Sequence, residues 1–165
     1  MAKKPTQTET QSATPAKGKI TPLKKLSVKT ICGALKVKDF PDADEEGVQQ
    51  ERLLCRIAGT ANGIDRGEST YGAWESLAGE FAATNYDTGE IFVGRAAFIP
   101  GAMGDALIAA LDNAQSDDAA ATLKFSVDVS AVISTRDANK YEYIVRPVIE
   151  SDVRNEAVAL LGLSN

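Results

Sequence analysis

The clearest alternation of apolar and polar side chains in the sequence runs from residue 122 to residue 135 and constrains the fold more than any other feature. Successive side chains of a β-strand point to opposite faces, so this alternation predicts a strand that buries one face and exposes the other. The predicted inner residues are Leu123, Phe125, Val127, Val129, Ala131 and Ile133, and the predicted outer ones are Lys124, Ser126, Asp128, Ser130 and Ser134. The chain must therefore build a sheet that is apolar on one side.

The same period of two predicts five further strands, and helical spacing predicts two helices. The predicted strands cover residues 28–39, 51–61, 70–84, 90–99 and 140–149. Apolar residues three and four apart predict a short helix after Pro100 and Gly101, and Ser151 is placed to cap a second helix at the C-terminus. Strands outnumber helices, so the sequence predicts a mainly β protein with short helices.

Within the strand predicted for residues 51–61, Leu53, Cys55 and Ile57 are expected to face the core, with Arg52 and Arg56 facing outward. Turn-forming residues between 84 and 90 predict a hairpin that joins residues 70–84 to residues 90–99. Strands with a hairpin extension, then a helix, then two strands follow the order of the OB-fold, a five-stranded Greek-key barrel that binds oligonucleotides and oligosaccharides. We expect an OB-like barrel.

Composition divides the chain into three parts. Residues 1–24 are rich in Lys, Thr, Ser and Pro and are expected to form a disordered arm. Residues 25–150 are expected to form the OB-like β-barrel domain, and residues 151–165 a C-terminal helix. The length of 165 residues leaves no room for a second catalytic domain.

The sequence contains no histidine, which excludes Ser-His-Asp and Cys-His catalysis and every histidine-containing metal site. Cys32 and Cys55 are too few for a four-ligand zinc site and are expected to be reduced and buried. The acidic run at residues 42–46 lacks the spacing of a calcium loop and fits a solvated connection better. No signal peptide or membrane span is predicted. We therefore expect a cytoplasmic protein that is not an enzyme and needs no cofactor and no metal.

Charge is distributed unevenly along the chain, although the net charge is only −5. Residues 1–38 carry nine lysines against Glu9 alone, a net charge of +8, and the remaining residues carry nine basic side chains against 22 acidic ones, a net charge of −13. A basic leading segment is typical of an arm that contacts nucleic acid, and an unfolded solubilising tail has the same composition.

Exposed cations and aromatic rings are the candidates for contact with a polyanion, and Trp74 is the most informative of them. It shares the polar face of its predicted strand with Ser76 and Glu80, where an exposed ring would stack on bases. Each feature also has an explanation that involves no nucleic acid. Trp74 would equally be buried at a subunit interface, and cations on an outer sheet face would equally be there to contact solvent. The candidate nucleic-acid-binding residues are Lys36, Lys38, Arg52, Arg56, Trp74, Tyr86, Arg95, Arg136, Lys140 and Arg146. The first four cations form one patch if residues 28–39 and 51–61 pair as antiparallel strands.

Two stretches resemble a known family. They are YGAWESLAGEFAATNYDTGEIFVGRAAFIPG at residues 71–101 and TLKFSVDVSAVISTRDANKYEYIVRPVIE at residues 122–150. Together they resemble the phage-type single-stranded DNA-binding proteins. The resemblance implies an OB-fold that coats single-stranded DNA in replication or recombination without catalysis, with Trp74 stacking and Arg95 contacting the backbone. The C-terminal ALLGLSN departs from bacterial-type members, which end in an acidic tail with a terminal Phe.

The leading hypothesis is a single-stranded nucleic-acid binder from a phage or mobile element, with DNA favoured over RNA. It would form homo-oligomers in the bacterial host cytoplasm, bind no membrane, and work beside replication or recombination proteins. One alternative is a β-rich structural or assembly protein of a virion or filament, in which Trp74 lies at subunit contacts. Another is a regulator that binds a host protein through its acidic surface. An enzyme is the least supported class, because no nucleophile and base can be paired from the sequence.

Overall fold

The computed structural model describes residues 19–148, and the protein is mainly β in that range, as predicted. The strands are β1 (Ile20–Pro22), β2 (Arg52–Ser69), β3 (Gly72–Asn85), β4 (Ile91–Ala97), β5 (Leu123–Ile133) and β6 (Tyr141–Pro147). The helices are α1 (Val28–Cys32) and α2 (Gly101–Asp117), and Val37–Asp39 form one 3-10 turn. Within this range, no helix has the length and apolar character needed to cross a membrane.

All six strands belong to one sheet with the order β1-β4-β3-β2-β5-β6. Neighbouring strands are antiparallel except β1 and β4, which run parallel. The expected closed five-stranded barrel is not what the described strands form, because the sheet is open. Closure of the other five strands would require β4 to pair with β6, but the free edge of β4 is already taken by β1.

The N-terminal arm was expected to extend to residue 24, but its last residues belong to the sheet. Ile20 pairs with Ile91 and Pro22 with Val93, and the N–H of Leu23 donates to the carbonyl of Val93 at 2.8 Å. The sheet therefore includes residues that precede residue 25. Residues 1–18 of the predicted arm and the predicted helix over residues 151–165 lie outside the described range.

The strand predicted over residues 28–39 is wrong, because local capping makes a helix there instead. Ser27 and Thr30 form a capping box, in which Ser27 Oγ accepts from the N–H of Thr30 and Thr30 Oγ1 accepts from the N–H of Ser27. Gly33 ends α1 with a φ of 73°, a value that suits glycine. As a result, Lys36 and Lys38 lie beyond the helix and do not pair with β2 as neighbours in a sheet.

A bulge in β2 corrects the predicted faces of that strand. The pairing of β2 with β5 shifts register between Leu53 and Cys55, so Leu54 and Cys55 are both buried while Leu53 is 47% exposed. Ile57 is buried as predicted. The bulge explains why the inner face is correct from Cys55 onward and wrong at Leu53.

Two hairpins join the central strands. The predicted one connects β3 to β4 through a turn in which Asn85 Oδ1 accepts from the N–H groups of Asp87 and Thr88. The other joins β2 to β3 and extends beyond the rest of the sheet, since β5 pairs with β2 only as far as Ala61 and β4 pairs with β3 only from Leu77. We call residues 62–76 the ribbon.

One hydrophobic core lies on the inner face of the sheet. Leu77 and Phe81 of β3 and Val127 and Val129 of β5 are buried in it, as the alternation predicts. Leu111 of α2 is buried against the same cluster. The opposite face of the central strands, which we call the outer face, carries polar and small residues and holds the first candidate site.

Candidate nucleic-acid interface

A groove of about 920 Å³ crosses the outer face of the sheet. Its floor is a row of small and apolar side chains that are partners across β4, β3, β2 and β5, namely Val93, Ala82, Ala58 and Ser126. The chain after β1 forms one wall with Leu23 and Lys24. Small side chains keep this floor low, so an extended chain has access to the sheet.

Glycines hold the backbones beneath the groove close together. A Cβ added at Gly59 would collide with the carbonyl oxygen of Glu80 and with the ring of Phe81. A Cβ at Gly94 would lie 2.7 Å from the carbonyl oxygen of Leu23. Because larger side chains at these two positions would push strands apart, the shape of the groove depends on both glycines.

Three exposed cations, Lys24, Arg95 and Lys124, line the groove. Among the described residues, none of the three has a carboxylate oxygen within 4 Å, the limit for an ion pair. Glu80 is the acidic side chain that lines the same groove. These three cations are free to contact an anionic ligand such as a phosphate backbone.

The next row of the outer face carries a neutralised arginine. Arg56 donates two hydrogen bonds to Asp128, at 2.8 and 3.0 Å, and the hydroxyl of Tyr86 donates to Asp128 Oδ1 at 2.8 Å. Hydrogen bonding from Arg56 holds the pKa of Asp128 below its usual value. Burial, together with the hydrogen bond to Asp128, raises the pKa of Tyr86 to about 12. Both Arg56 and Tyr86 are therefore engaged within the protein.

Other predicted cations also have carboxylate partners. Arg146 donates to both oxygens of Glu51 at 2.6 and 2.8 Å, and this hydrogen bonding lowers the pKa of Glu51. Arg52 donates to Asp87 at 2.8 Å, and Lys140 Nζ lies 4.0 Å from Asp137. Such pairs contribute little to stability at an exposed surface, but they neutralise the positive charge that would otherwise attract a phosphate.

The structure therefore does not bring the ten predicted site residues together. Arg95 lies in the groove, whereas Lys36, Lys38 and Arg136 are exposed on connections outside it. The strand pairing on which the predicted patch of Lys36, Lys38, Arg52 and Arg56 depends does not form. Sequence reasoning missed Lys24 and Lys124 as site residues. The alternation of residues 122–135 does place Lys124 on the outer face, which is a usable signal.

Trp74 lies on the ribbon, away from the small-residue row. Its indole packs against Gly67 on the facing strand, and the ammonium of Lys25 sits 4.4 Å from the ring centroid. The side chain remains 38% exposed. Lys25 directly follows Lys24 of the groove, so one short segment of chain connects the two features. At the tip of the ribbon, Tyr71 is 99% exposed.

Comparison with known proteins gives one informative relative. Over 136 residues the chain is 32% identical to the single-stranded DNA-binding protein of Enterobacteria phage PRD1, a match that covers 82% of this chain and 76% of the relative. No protein-family model matches the chain, and no solved structure matches it significantly. Between residues 19 and 148, no three metal-ligating side chains come together.

Proposed function

The chain belongs to the phage single-stranded DNA-binding proteins, and from this premise we propose that it binds single-stranded DNA along the outer-face groove. The strand is coated without catalysis during phage replication or recombination in the cytoplasm of the bacterial host. Homo-oligomers assemble on the DNA beside replication or recombination proteins. The single observation that carries the placement is that the groove cations Lys24, Arg95 and Lys124 are free of ion pairs in the described part of the chain.

The phosphate contacts follow from the arrangement of these cations. Arg95 is on β4 and Lys124 is on β5, so they lie on opposite sides of the two central strands. A strand of DNA that crosses the sheet between them meets positive charge at both ends of the small-residue row. Each neutralised phosphate releases condensed counterions, and binding by this route weakens steeply as salt rises.

Stacking on Trp74 supplies the contribution that does not depend on sequence. A base gains about 1–3 kcal/mol by stacking on an aromatic ring, and every base has a suitable face. Lys25 covers the ring in the free protein. A base that takes this position releases the ammonium of Lys25, which can then pair with a neighbouring phosphate.

We also propose that the sheet is an opened version of the OB-fold. Strands β2, β3 and β4 form a meander, α2 follows, and β5 returns to pair with β2 before β6. This is the connection order of the OB barrel, whose strands bind oligonucleotides on one face. Here β1 occupies the edge at which the barrel would close.

A fluorescence titration tests the proposed function, because Trp74 is the single tryptophan of the chain. We expect an oligothymidylate of about 15 nucleotides, near the upper site size for one OB-fold, to quench Trp74. The affinity should fall steeply between low and physiological salt, and a duplex of the same length should bind more weakly. Absence of both quenching and binding at low salt would refute the proposal.

The basic arm provides a second test. We propose that Lys3, Lys4 and Lys17 add phosphate contacts to those of the groove. A deletion of residues 1–18 leaves β1 and Lys24 in place, whereas a deletion of residues 1–24 removes both. The shorter deletion should reduce the slope of log affinity against log salt and leave saturating Trp74 quenching unchanged. An unchanged slope would show that the arm does not touch the DNA.

A further inference from the structure

A second cleft, of about 540 Å³, lies between the ribbon, the end of β4 and the start of α2. Trp74 and Phe98 line it, and Phe98 is 42% exposed. Ile99 and Ile108 supply aliphatic surface to the same cleft. Its size is in the range of small-molecule sites, and it offers two aromatic side chains to a flat ring.

The polar groups of this cleft are mostly hydrogen-bond acceptors. Arg66 is held by two carboxylates, Glu75 at 2.6 Å and Asp112 at 3.0 Å. Asp105 also lines the cleft and has no ion-pair partner among the described residues. The hydroxyl of Ser76, which lines the cleft and is buried, has no hydrogen-bond partner in that part of the chain.

This distribution of charge is unsuited to a phosphate. Two carboxylates, Glu75 and Asp105, line the cleft with Arg66, and Arg66 is already bound by Glu75 and Asp112, so an anionic group would be repelled from the interior. A neutral aromatic ring with hydrogen-bond donors at its edge fits better, because the rings can stack on its faces and the acceptors can bind its edge. Lys25 lies over Trp74, and the adjacent Lys24 lines the groove. Both lysines can therefore contact the phosphate of such a nucleotide outside the cleft.

We propose that this cleft binds a guanine base of the single strand, with the carboxylate of Asp105 accepting hydrogen bonds from N1–H and the N2 amino group. Guanine is the base whose Watson–Crick edge offers two adjacent donors, which match the two oxygens of a carboxylate. Thymine presents oxygen acceptors on both sides of its N3–H, and these would face the carboxylate unfavourably. The inference rests on the proposed function and adds a base preference to it.

The test compares three oligonucleotides on the unmodified protein, by Trp74 fluorescence. One is an oligothymidylate of about 15 nucleotides, and the other two carry a single central guanine or a single central inosine. Inosine lacks the N2 amino group but keeps N1–H and the purine ring. Loss of one hydrogen bond to a charged group should weaken binding about tenfold relative to guanine. Equal affinity for the guanine and inosine strands would overturn the proposal.

Two variants locate the preference. Asp105→Asn should remove the difference between guanine and inosine, because the amide presents only one acceptor atom. Asp117→Asn is the matched control, since Asp117 is on the same helix and does not line the cleft, and it should keep the difference. A preference that survives Asp105→Asn would also overturn the proposal. Binding of the oligothymidylate reports on the proposed function separately, and if no strand binds at low salt, both ideas fail together.

Discussion

Two neighbouring rows of the outer face carry similar side chains in opposite states. In the groove, Lys24, Arg95 and Lys124 have no ion-pair partner among the described residues. Two residues before Ala58 of the groove floor, Arg56 on β2 is bound by Asp128 through two hydrogen bonds. Both rows contain basic side chains, but only the groove has positive charge that is not already neutralised.

From this difference we expect the availability of a cation to matter more for phosphate binding than its presence. An arginine that already donates two hydrogen bonds to a carboxylate must give them up to bind a phosphate, and the exchange gains little. It also leaves a carboxylate beside the DNA. A lysine or arginine that faces only solvent has no such cost, so the groove is the better interface for phosphate.

Removal of the groove cations is expected to have the largest effect. The triple variant Lys24→Ala, Arg95→Ala, Lys124→Ala should bind single-stranded DNA about 100-fold more weakly at moderate salt, and the salt slope should fall by roughly 2, about 0.7 for each lost phosphate contact. The measurement is affinity by Trp74 quenching over a series of salt concentrations.

The matched control removes the same charge from the ion-paired arginines. Arg52→Ala, Arg56→Ala, Arg146→Ala should lower affinity less than about fivefold and leave the slope nearly unchanged, because these side chains are engaged by carboxylates and surface charges are screened beyond a Debye length of about 8 Å. Thermal unfolding checks that both proteins are folded. Equal losses in the two triple variants would contradict the distinction between the rows.

The floor of the groove can be tested through its glycines. Gly59→Ala should destabilise the protein by about 1–3 kcal/mol, because the new methyl group collides with the backbone of Glu80 across the strand pair. Gly63→Ala is the matched control on the same strand, where the nearest atom, Ala78 Cβ, is 4.0 Å away, and its cost should be smaller. Urea unfolding measures both, and equal costs would mean that close packing under the groove is unimportant.

Some of this fold follows directly from local sequence. The alternation over residues 122–135 predicts the burial of Val127, Val129 and Ala131, and turn chemistry at Asn85 predicts the hairpin between β3 and β4. Each depends on side chains close together in sequence. The same alternation places Ser130 outside, although it is buried, because alternation does not report what covers a strand from the other side.

The remaining features depend on contacts that a linear pattern does not contain. Arg56 and Asp128 are 72 positions apart, and their pairing follows from the register of β2 against β5. The bulge at Leu53 depends on the same register. Composition assigned Lys24 to a disordered arm, whereas the pairing of β1 with β4 brings it beside the groove. The sequence therefore identifies the candidate cations, but it does not show which of them remain without an ion-pair partner in the fold.

Freeing Arg56 should turn part of the neutralised row into a phosphate contact. Asp128→Asn removes the carboxylate and leaves the guanidinium beside the groove, so affinity for single-stranded DNA should rise about threefold to tenfold and the salt slope should increase by roughly 0.7. Asp117→Asn makes the same change in net charge on α2, outside the groove, and should alter the slope little. A similar gain in both variants would assign the effect to net charge rather than to Arg56.

The smallest expected effect is on stability at acidic pH. Hydrogen bonding from Arg56 lowers the pKa of Asp128 in the folded protein below its unfolded value of about 4. The folded state therefore binds this proton less readily than the unfolded state does, so the pair stabilises the fold above about pH 4 and loses that contribution as pH falls through the lowered pKa.

At pH 7, Asp128→Asn should lower Tm by at most roughly 3 °C, as expected for one exposed pair in a chain of this size. The difference from the unmodified protein should shrink toward zero as pH is lowered below 4. Glu51→Gln should show the same direction, because Arg146 lowers the pKa of Glu51 in the same way. If the difference in Tm stays constant from pH 7 to pH 3, Asp128 does not hold Arg56 as an ion pair in solution, and Arg56 then belongs with the available cations of the groove.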